Sequence, residues 1–159
     1  MTAQRSTLSR ILALVIVLGV TLGISVLGAR TTALSVTGWY QTLIKPPLNP
    51  PDWVFAPVWT TLYILMAIAA WRVWLRNAPR RALVLYAVQL LLNLGWSVLF
   101  FGMQRPLWAL VEIVLLLAAI LATLAAFRAA DRWAGRLLVP YAAWVAFATY
   151  LNAGIVVLN

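Results

Sequence analysis

The sequence predicts an all-α membrane protein, a five-transmembrane-helix bundle with a Pro/Trp-rich loop between helices 1 and 2. Five apolar runs each approach the ~20 residues that a helix needs to cross ~30 Å of hydrocarbon. Only 9% of the residues are charged, against about 25% in an ordinary soluble domain. No stretch alternates apolar and polar residues as the strands of a membrane barrel do. We therefore predict a single domain over residues 1–159.

The five runs are divided by one long connection and three short ones. The long connection, residues 30–52, lies between the first two runs. The short connections predict that the helices they join are antiparallel neighbours. The predicted spans are residues 11–29, 53–75, 82–101, 107–127 and 137–158.

Basic residues are concentrated on one predicted side of the membrane. The chain has 12 Lys and Arg residues and 3 Asp and Glu residues. Arg30, Lys45 and Arg105 fall on the side that holds the long loop, and the other nine fall on the opposite side. The positive-inside rule then places the N-terminus in the cytoplasm. Topology and contact with anionic lipid account for the net charge of +9, so we expect no nucleic-acid partner. The nine are Arg5, Arg10, Arg72, Arg76, Arg80, Arg81, Arg128, Arg132 and Arg136.

Residues 45–59, which we name the Pro/Trp tract, are the most unusual part of the sequence. They contain five of the eight prolines and two of the nine tryptophans. Prolines this dense cannot form the interior of a helix, because each lacks an N–H group and clashes with the preceding turn. A stiff loop also loses little entropy on closing. The tract therefore predicts a lid over a site within the membrane.

Three runs carry aromatic and amide side chains at helical spacing, each set on one helix face. Lipid offers the amides no hydrogen bonds, so these faces should point to protein or to a cavity. One interpretation is an aromatic-walled chamber for a flat, apolar ligand. The other is a packed core whose amides bond across helices. The faces comprise Trp59, Tyr63 and Met66; Gln89, Asn93, Trp96 and Phe100; and Tyr141, Trp144, Ala148 and Asn152.

Residue types that are missing or isolated restrict the chemistry. The sequence has no Cys and no His, which excludes thiolate and imidazole ligands and any Ser–His or Cys–His nucleophile, and we predict no metal site. Glu112 is the one ionisable residue deep in the fourth apolar run. It predicts a partner for Arg105, a hydrogen bond to a neighbouring helix, or a proton relay.

Small and aromatic residues at other positions have more general interpretations. Gly19 and Gly23 are four residues apart on the first run, as in close helix pairs, which indicates either packing within the bundle or a homodimer seam. Four tryptophans near the ends of the spans predict an interfacial aromatic belt. They are Trp71, Trp74, Trp108 and Trp133.

Four motifs give the sequence a family resemblance. They read WYxxLxKP at 39–46, NPPxWVFxPxWTxLY at 49–63, QxxxNxxWS at 89–97 and PYxxWxxFAxxLN at 140–152. With them the chain resembles the TspO/MBR family, which comprises the tryptophan-rich sensory proteins and the translocator protein, or peripheral-type benzodiazepine receptor. The resemblance implies a homodimeric five-helix bundle that binds porphyrins such as protoporphyrin IX and haem, or isoquinoline and benzodiazepine drugs. Porphyrin or haem is then a ligand, and no cofactor is required.

The resemblance also implies roles for particular residues. Positions that bind ligand in the family match Trp59, Tyr63, Asn93, Trp144 and Ala148, while Trp39 and the loop prolines help to close the chamber. If the protein degrades porphyrin in light, Trp59 and Trp144 are the catalytic candidates. With the faces above, the predicted ligand-binding residues are Trp39, Pro47, Trp53, Trp59, Tyr63, Gln89, Asn93, Trp96, Phe100, Trp144, Ala148 and Asn152.

The expected function is porphyrin binding with a role in tetrapyrrole sensing, transport or regulation. The alternatives are a light- and oxygen-dependent porphyrin-degrading enzyme, or a proton-coupled transporter that uses Glu112. The residues after Asn152 contain no Tyr, Lys or Arg, so the sterol-recognition motif of animal members is absent and sterol binding by that route is not expected. We expect a multi-pass protein of a bacterial inner membrane, with the outer membrane as the alternative location.

Overall fold

The structure is a computed structural model that describes residues 6–159, so Arg5 lies outside the described residues. Within this range the chain forms five long helices and a short one. Each long helix is long and apolar enough to cross a membrane, which confirms the predicted class of multi-pass membrane protein. The helices are α1 (Thr7–Val36), α2 (Trp39–Thr42), α3 (Phe55–Leu75), α4 (Arg80–Ser97), α5 (Pro106–Ala130) and α6 (Arg132–Leu158).

The helices extend beyond most of the predicted spans, because polar residues form their terminal turns. The Ser6 hydroxyl caps α1 by accepting a hydrogen bond from the backbone N–H of Ser9 at 3.2 Å. At the other end of the bundle α1 continues to Val36, seven residues past the last apolar residue of the predicted span. Pro140 lies inside α6. Hydropathy reports the lipid-exposed length of a helix, whereas capping decides where it begins and ends.

The five long helices form a closed ring in the order α1, α3, α6, α5, α4. The prediction that sequential helices are neighbours is right for α4 with α5 and for α5 with α6. For α3 and α4 the prediction holds only weakly, because these helices pack lightly on each other although a short turn joins them. Instead, α3 packs mainly on α1 and α6. The interior faces of α3, α4 and α6 therefore meet in the middle of the ring.

The loops group at the two ends of the bundle as the charge pattern predicts. At one end, the Asn159 side chain exchanges two hydrogen bonds of 3.0 Å with the backbone of Ile44, just before the Pro/Trp tract. At the other end, Arg72 of α3 contacts Asp131 between α5 and α6. The connections at 76–79 and 131 therefore lie opposite the tract. Which end faces the cytoplasm stays a prediction.

The turn between α5 and α6 is fixed by the buried carboxylate of Asp131. It accepts hydrogen bonds from Arg72 Nη2 at 2.8 Å and from Arg76 Nε at 3.3 Å. It also caps α6 by accepting from the backbone N–H groups of Trp133 and Ala134, at 2.8 and 3.1 Å. Burial raises the pKa of Asp131, but these four donors outweigh it, so the pKa lies below its usual value. This capped corner is where α6 begins.

Gly19 and Gly23 point away from the bundle. A methyl group added to either would meet no neighbouring atom within 4 Å, so packing inside the bundle does not explain them. Gly28, in contrast, is buried against Ser97, whose Oγ would lie 3.4 Å from an added Cβ. The homodimer seam through Gly19 and Gly23 stays a prediction.

Candidate ligand-binding site

The ring of Trp59 lies at the centre of an aromatic cluster formed by α3, α4 and α6. Its centroid is 5.9 Å from that of Tyr63, 6.4 Å from Trp96, 6.3 Å from Tyr141 and 6.5 Å from Trp144. The pairs with Tyr141 and Trp144 are edge-to-face, an arrangement that aromatic rings favour. The cluster therefore brings predicted residues from all three faces into contact around one ring.

The cluster continues toward the Pro/Trp tract through the end of α4. Phe100 stacks on Trp96 with centroids 5.4 Å apart, and Trp39 of α2 packs edge-on against Phe100 at 5.7 Å. A single π-helical turn, Val98–Gly102, follows α4. Such a wide turn disturbs the regular backbone bonds, and the Ser35 hydroxyl donates to the carbonyl of Phe101 at 2.5 Å. Within this turn the consecutive residues Phe100 and Phe101 are both buried.

On the side away from the tract, a chain of hydrogen bonds crosses the interior. Tyr63 OH donates to Asn93 Oδ1, and Asn93 Nδ2 donates to Tyr141 OH at 3.0 Å. Tyr141 OH donates in turn to Gln89 Oε1 at 2.8 Å, and Gln89 Nε2 contacts Met66 Sδ at 3.9 Å. In this part of the interior the amides bond across helices, as the packed-core interpretation predicts. The site thus has two layers. The aromatic layer, formed by the rings around Trp59, lies below the tract, and the polar layer, formed by the hydrogen-bonded hydroxyl and amide groups, lies farther from it.

Tyr141 joins the two amides, so its hydroxyl should stabilise the bundle. We expect Tyr141→Phe to lower the free energy of unfolding by about 1–3 kcal/mol, because Asn93 and Gln89 would each lose a partner while buried. Denaturant titration in detergent measures this difference. Tyr150→Phe is the matched control, since Tyr150 is more exposed and donates to the carbonyl of Pro47. Equal stability of Tyr141→Phe and the wild type would contradict the prediction.

One buried polar atom of the aromatic layer has no hydrogen-bond partner among the described residues. Trp144 Nε1 is buried and makes no hydrogen bond to the described residues. In contrast, Trp96 Nε1 donates to Asn152 Oδ1 at 3.1 Å, and Asn152 Nδ2 donates to the carbonyl of Pro106 at 2.9 Å. Buried donors are nearly always paired. Trp144 Nε1 is therefore available to an acceptor on a bound molecule.

Three predicted residues have positions that separate them from the cluster or leave them at its edge. Trp53 is 74% exposed, and Pro47 is exposed, with its carbonyl bonded to Tyr150. Ala148 is buried on α6, one turn from Trp144 toward the tract. Sequence reasoning missed Phe55, whose ring packs edge-on against Trp144 at 6.1 Å. The sequence could have indicated Phe55, because it lies four residues before Trp59 and therefore on the same helix face.

Glu112 lies apart from the aromatic layer, between α5 and α4. An added Cβ on Gly95 would be 3.4 Å from its Oε1. Both carboxylate oxygens are buried and have no hydrogen-bond partner among residues 6–159. The predicted pairing with Arg105 or with a group on a neighbouring helix is therefore not formed. The described residues also contain no group of three His, Cys, Asp or Glu side chains that could hold a metal ion.

The fold and this interior define an integral, multi-pass helical membrane protein with an aromatic site between three of its helices. The chain belongs to the TspO/MBR family, whose model matches residues 13–158. It is 47% identical over 154 residues to the tryptophan-rich protein TspO of Chlorobaculum tepidum, covering 94% of this chain and 98% of that protein. It is 46% identical over 114 residues to a tryptophan-rich sensory protein of Cereibacter sphaeroides, covering 72% of each. With the human translocator protein it shares 44% identity over 119 residues, 72% of this chain and 70% of that protein. The family resemblance drawn from the motifs is confirmed.

Proposed function

We propose that this protein binds a porphyrin, such as protoporphyrin IX or haem, in the aromatic layer below the Pro/Trp tract, and that it acts in tetrapyrrole sensing, transport or regulation. The observation that carries the proposal is the cluster around Trp59, which contacts four aromatic rings. A flat aromatic ligand can replace such ring contacts with its own. Trp144 Nε1, which has no hydrogen-bond partner among residues 6–159, supplies a donor that would fix the orientation of the ligand.

The charges near the tract suit the acidic edge of a porphyrin. Lys45 Nζ lies 4.8 Å from the centroid of the Tyr40 ring, at the same end of the bundle as the aromatic layer. A porphyrin whose macrocycle lies among the rings would direct its carboxylates toward this end, where an ammonium group can pair with them. The polar layer, whose amides are already bonded to Tyr63 and Tyr141, forms the floor.

Titration with protoporphyrin IX tests the proposal. We expect Trp59→Ala to weaken binding about tenfold, or ~1.4 kcal/mol, because it removes the ring at the centre of the layer. The readout is quenching of tryptophan fluorescence in detergent. Trp108→Ala is the matched control, since Trp108 is 64% exposed on α5 and should leave the affinity unchanged. If the tryptophan fluorescence of the wild type stays unquenched at saturating porphyrin, the protein does not bind porphyrin. If the two variants lose the same affinity for porphyrin, the binding site is not at the Trp59 cluster.

A second candidate function is oxidation of the bound porphyrin by oxygen in light. The observation that favours it is the direct edge-to-face contact of Trp59 with Trp144, 6.5 Å between centroids, in the same layer. Neighbouring tryptophans of this kind could exchange an electron with an excited porphyrin. Illuminating the same complex in air separates the two functions. A stable porphyrin spectrum with binding intact would leave a binding role alone.

A further inference from the structure

Three arginines surround a cavity at the corner between α5 and α6, at the opposite end of the bundle from the Pro/Trp tract. The cavity has a volume of about 140 Å³. Its walls combine guanidinium groups with small and aliphatic side chains. The lining residues are Leu124, Arg128, Arg132, Gly135, Arg136 and Val139.

The two helices that line this cavity approach each other closely beside it. A Cβ added to Gly135 would lie 2.6 Å from Arg128 Cβ and 2.8 Å from Arg128 Cα. Only glycine therefore allows the first turns of α6 to contact the last turn of α5 so closely. Arg132 and Arg136 lie four residues apart on one face of α6. The contact places Arg128 of α5 beside them, so two helices present three cations to one opening.

The positive charge of this cavity is not neutralised within the described part of the chain. The ion pairs found among residues 6–159 both involve Asp131, which pairs with Arg72 and Arg76 instead. The Asp131 carboxylate also accepts hydrogen bonds from backbone N–H groups in the first turn of α6. It is therefore not available to the three arginines of the cavity. Arg136 lies over the ring of Trp133, 4.8 Å from its centroid, which orients the guanidinium group without neutralising it. All three arginines are exposed, so an anion can reach their guanidinium groups and be attracted by them.

We propose that this cavity binds the phosphate of an anionic phospholipid from the surrounding membrane. Arginine forks bind phosphate oxygens through paired hydrogen bonds, and basic pockets between membrane helices suit such headgroups. The same cavity has an apolar part: Val139 is 52% exposed and Leu124 half-buried. Both belong to membrane-spanning helices, so an acyl chain can lie along them while the headgroup meets the arginines. A soluble phosphate would leave this apolar part unused.

Native mass spectrometry of the full chain in neutral detergent tests the proposal. It measures the binding of two probe lipids, phosphatidylglycerol and phosphatidylcholine. We expect wild-type protein to prefer phosphatidylglycerol, and the double variant Arg128→Gln, Arg132→Gln to lose at least about tenfold of that affinity. The matched control is Arg80→Gln, Arg81→Gln, which removes two exposed charges from the first turn of α4. The control should change the affinity less than about twofold. Equal losses in both double variants would overturn the site in favour of general surface charge.

A second pair of measurements separates a lipid from a free anion. Val139→Gln keeps all three arginines but makes the acyl path polar, so it should weaken phosphatidylglycerol binding severalfold. Inorganic phosphate at millimolar concentration should displace little of the bound lipid. If Val139→Gln binds the lipid as the wild type does, or if inorganic phosphate displaces it fully, the cavity is an anion site and the phospholipid proposal is wrong.

Discussion

Replacing Asp131 by alanine is expected to lower the free energy of unfolding by about 2–3 kcal/mol. The substitution removes the cap of α6, worth about 1 kcal/mol, and leaves Arg72 and Arg76 without their carboxylate. Both arginines are partly exposed, at 31% and 63% of their side chains, so water compensates some of the lost ion pairing. Denaturant titration in detergent measures the change.

Asp52, whose carboxylate is exposed, supplies a matched control for that experiment. Asp52 accepts a hydrogen bond from Gln41 Nε2 at 2.6 Å in an exposed position beside the Pro/Trp tract. Asp52→Ala should therefore change the free energy of unfolding by less than about 0.5 kcal/mol. If the two alanine variants are equally stable, the corner between α5 and α6 does not depend on Asp131.

The lowered pKa of Asp131 also gives this effect a pH dependence. An aspartate in the unfolded chain has a pKa of about 3.9, and the folded value lies below it. The stabilisation is therefore fully present above about pH 4 and is lost as the pH falls through the lower, folded value. Asp131→Asn removes this titration, so its stability should fall less steeply below pH 4 than that of the wild type. If the free energies of unfolding of the two proteins fall in parallel below pH 4, the pH dependence does not come from Asp131.

Gly154→Ala is expected to displace the Pro/Trp tract. A Cβ at Gly154 would lie 2.5 Å from Cβ and 2.7 Å from Cγ of Pro46, distances that require a shift. The pyrrolidine ring cannot rotate away as a flexible side chain would. The tract would have to move, although Ile44 is bonded to Asn159 and the carbonyl of Pro47 to Tyr150. Overpacking of this kind costs about 1–3 kcal/mol.

The displaced tract should release a bound porphyrin faster, if the proposed function holds. We expect the dissociation rate of protoporphyrin IX from Gly154→Ala to rise about tenfold, measured by stopped-flow fluorescence. Hydrogen exchange of residues 43–54 should rise as well, and that readout needs no ligand. Gly19→Ala is the matched control because an added methyl meets no atom within 4 Å there. Unchanged exchange in Gly154→Ala would show that Pro46 does not depend on this contact.

Helix number and the grouping of loops could be predicted because they depend on local properties of the chain. An apolar run of about 20 residues has no lower-energy alternative in a membrane than a helix, and connected spans must alternate in direction. Helix ends were less predictable. α6 begins at Arg132, five residues before the predicted span, because Asp131 caps it. In the sequence, a polar first turn of a helix cannot be distinguished from a loop unless its capping residue is known.

The composition of the site was predictable only in part. The period of 3.6 residues selected the faces that carry Trp59, Trp96 and Trp144, and these rings do meet. The same period could not show that Tyr141 lies between Asn93 and Gln89, since that requires α6 to face α4 across the ring of helices. Trp53 shows that membership of a motif does not predict the burial of a side chain. It lies in the most distinctive motif, yet it is exposed at the rim, on the 3₁₀ turn Asp52–Val54.

By itself, the sequence determined that this protein is a five-helix membrane bundle of the TspO/MBR type, which of its helix faces are polar and aromatic, and which loops share a side. Apolar length, residue spacing and charge are properties of neighbouring residues, and they act before any two helices meet. The tertiary structure decided which rings surround Trp59, which buried indole N–H has no partner among the described residues, and which arginines surround one cavity. These depend on the order of helices in the ring and on close contacts such as Gly135 with Arg128, which are set by packing between distant parts of the chain.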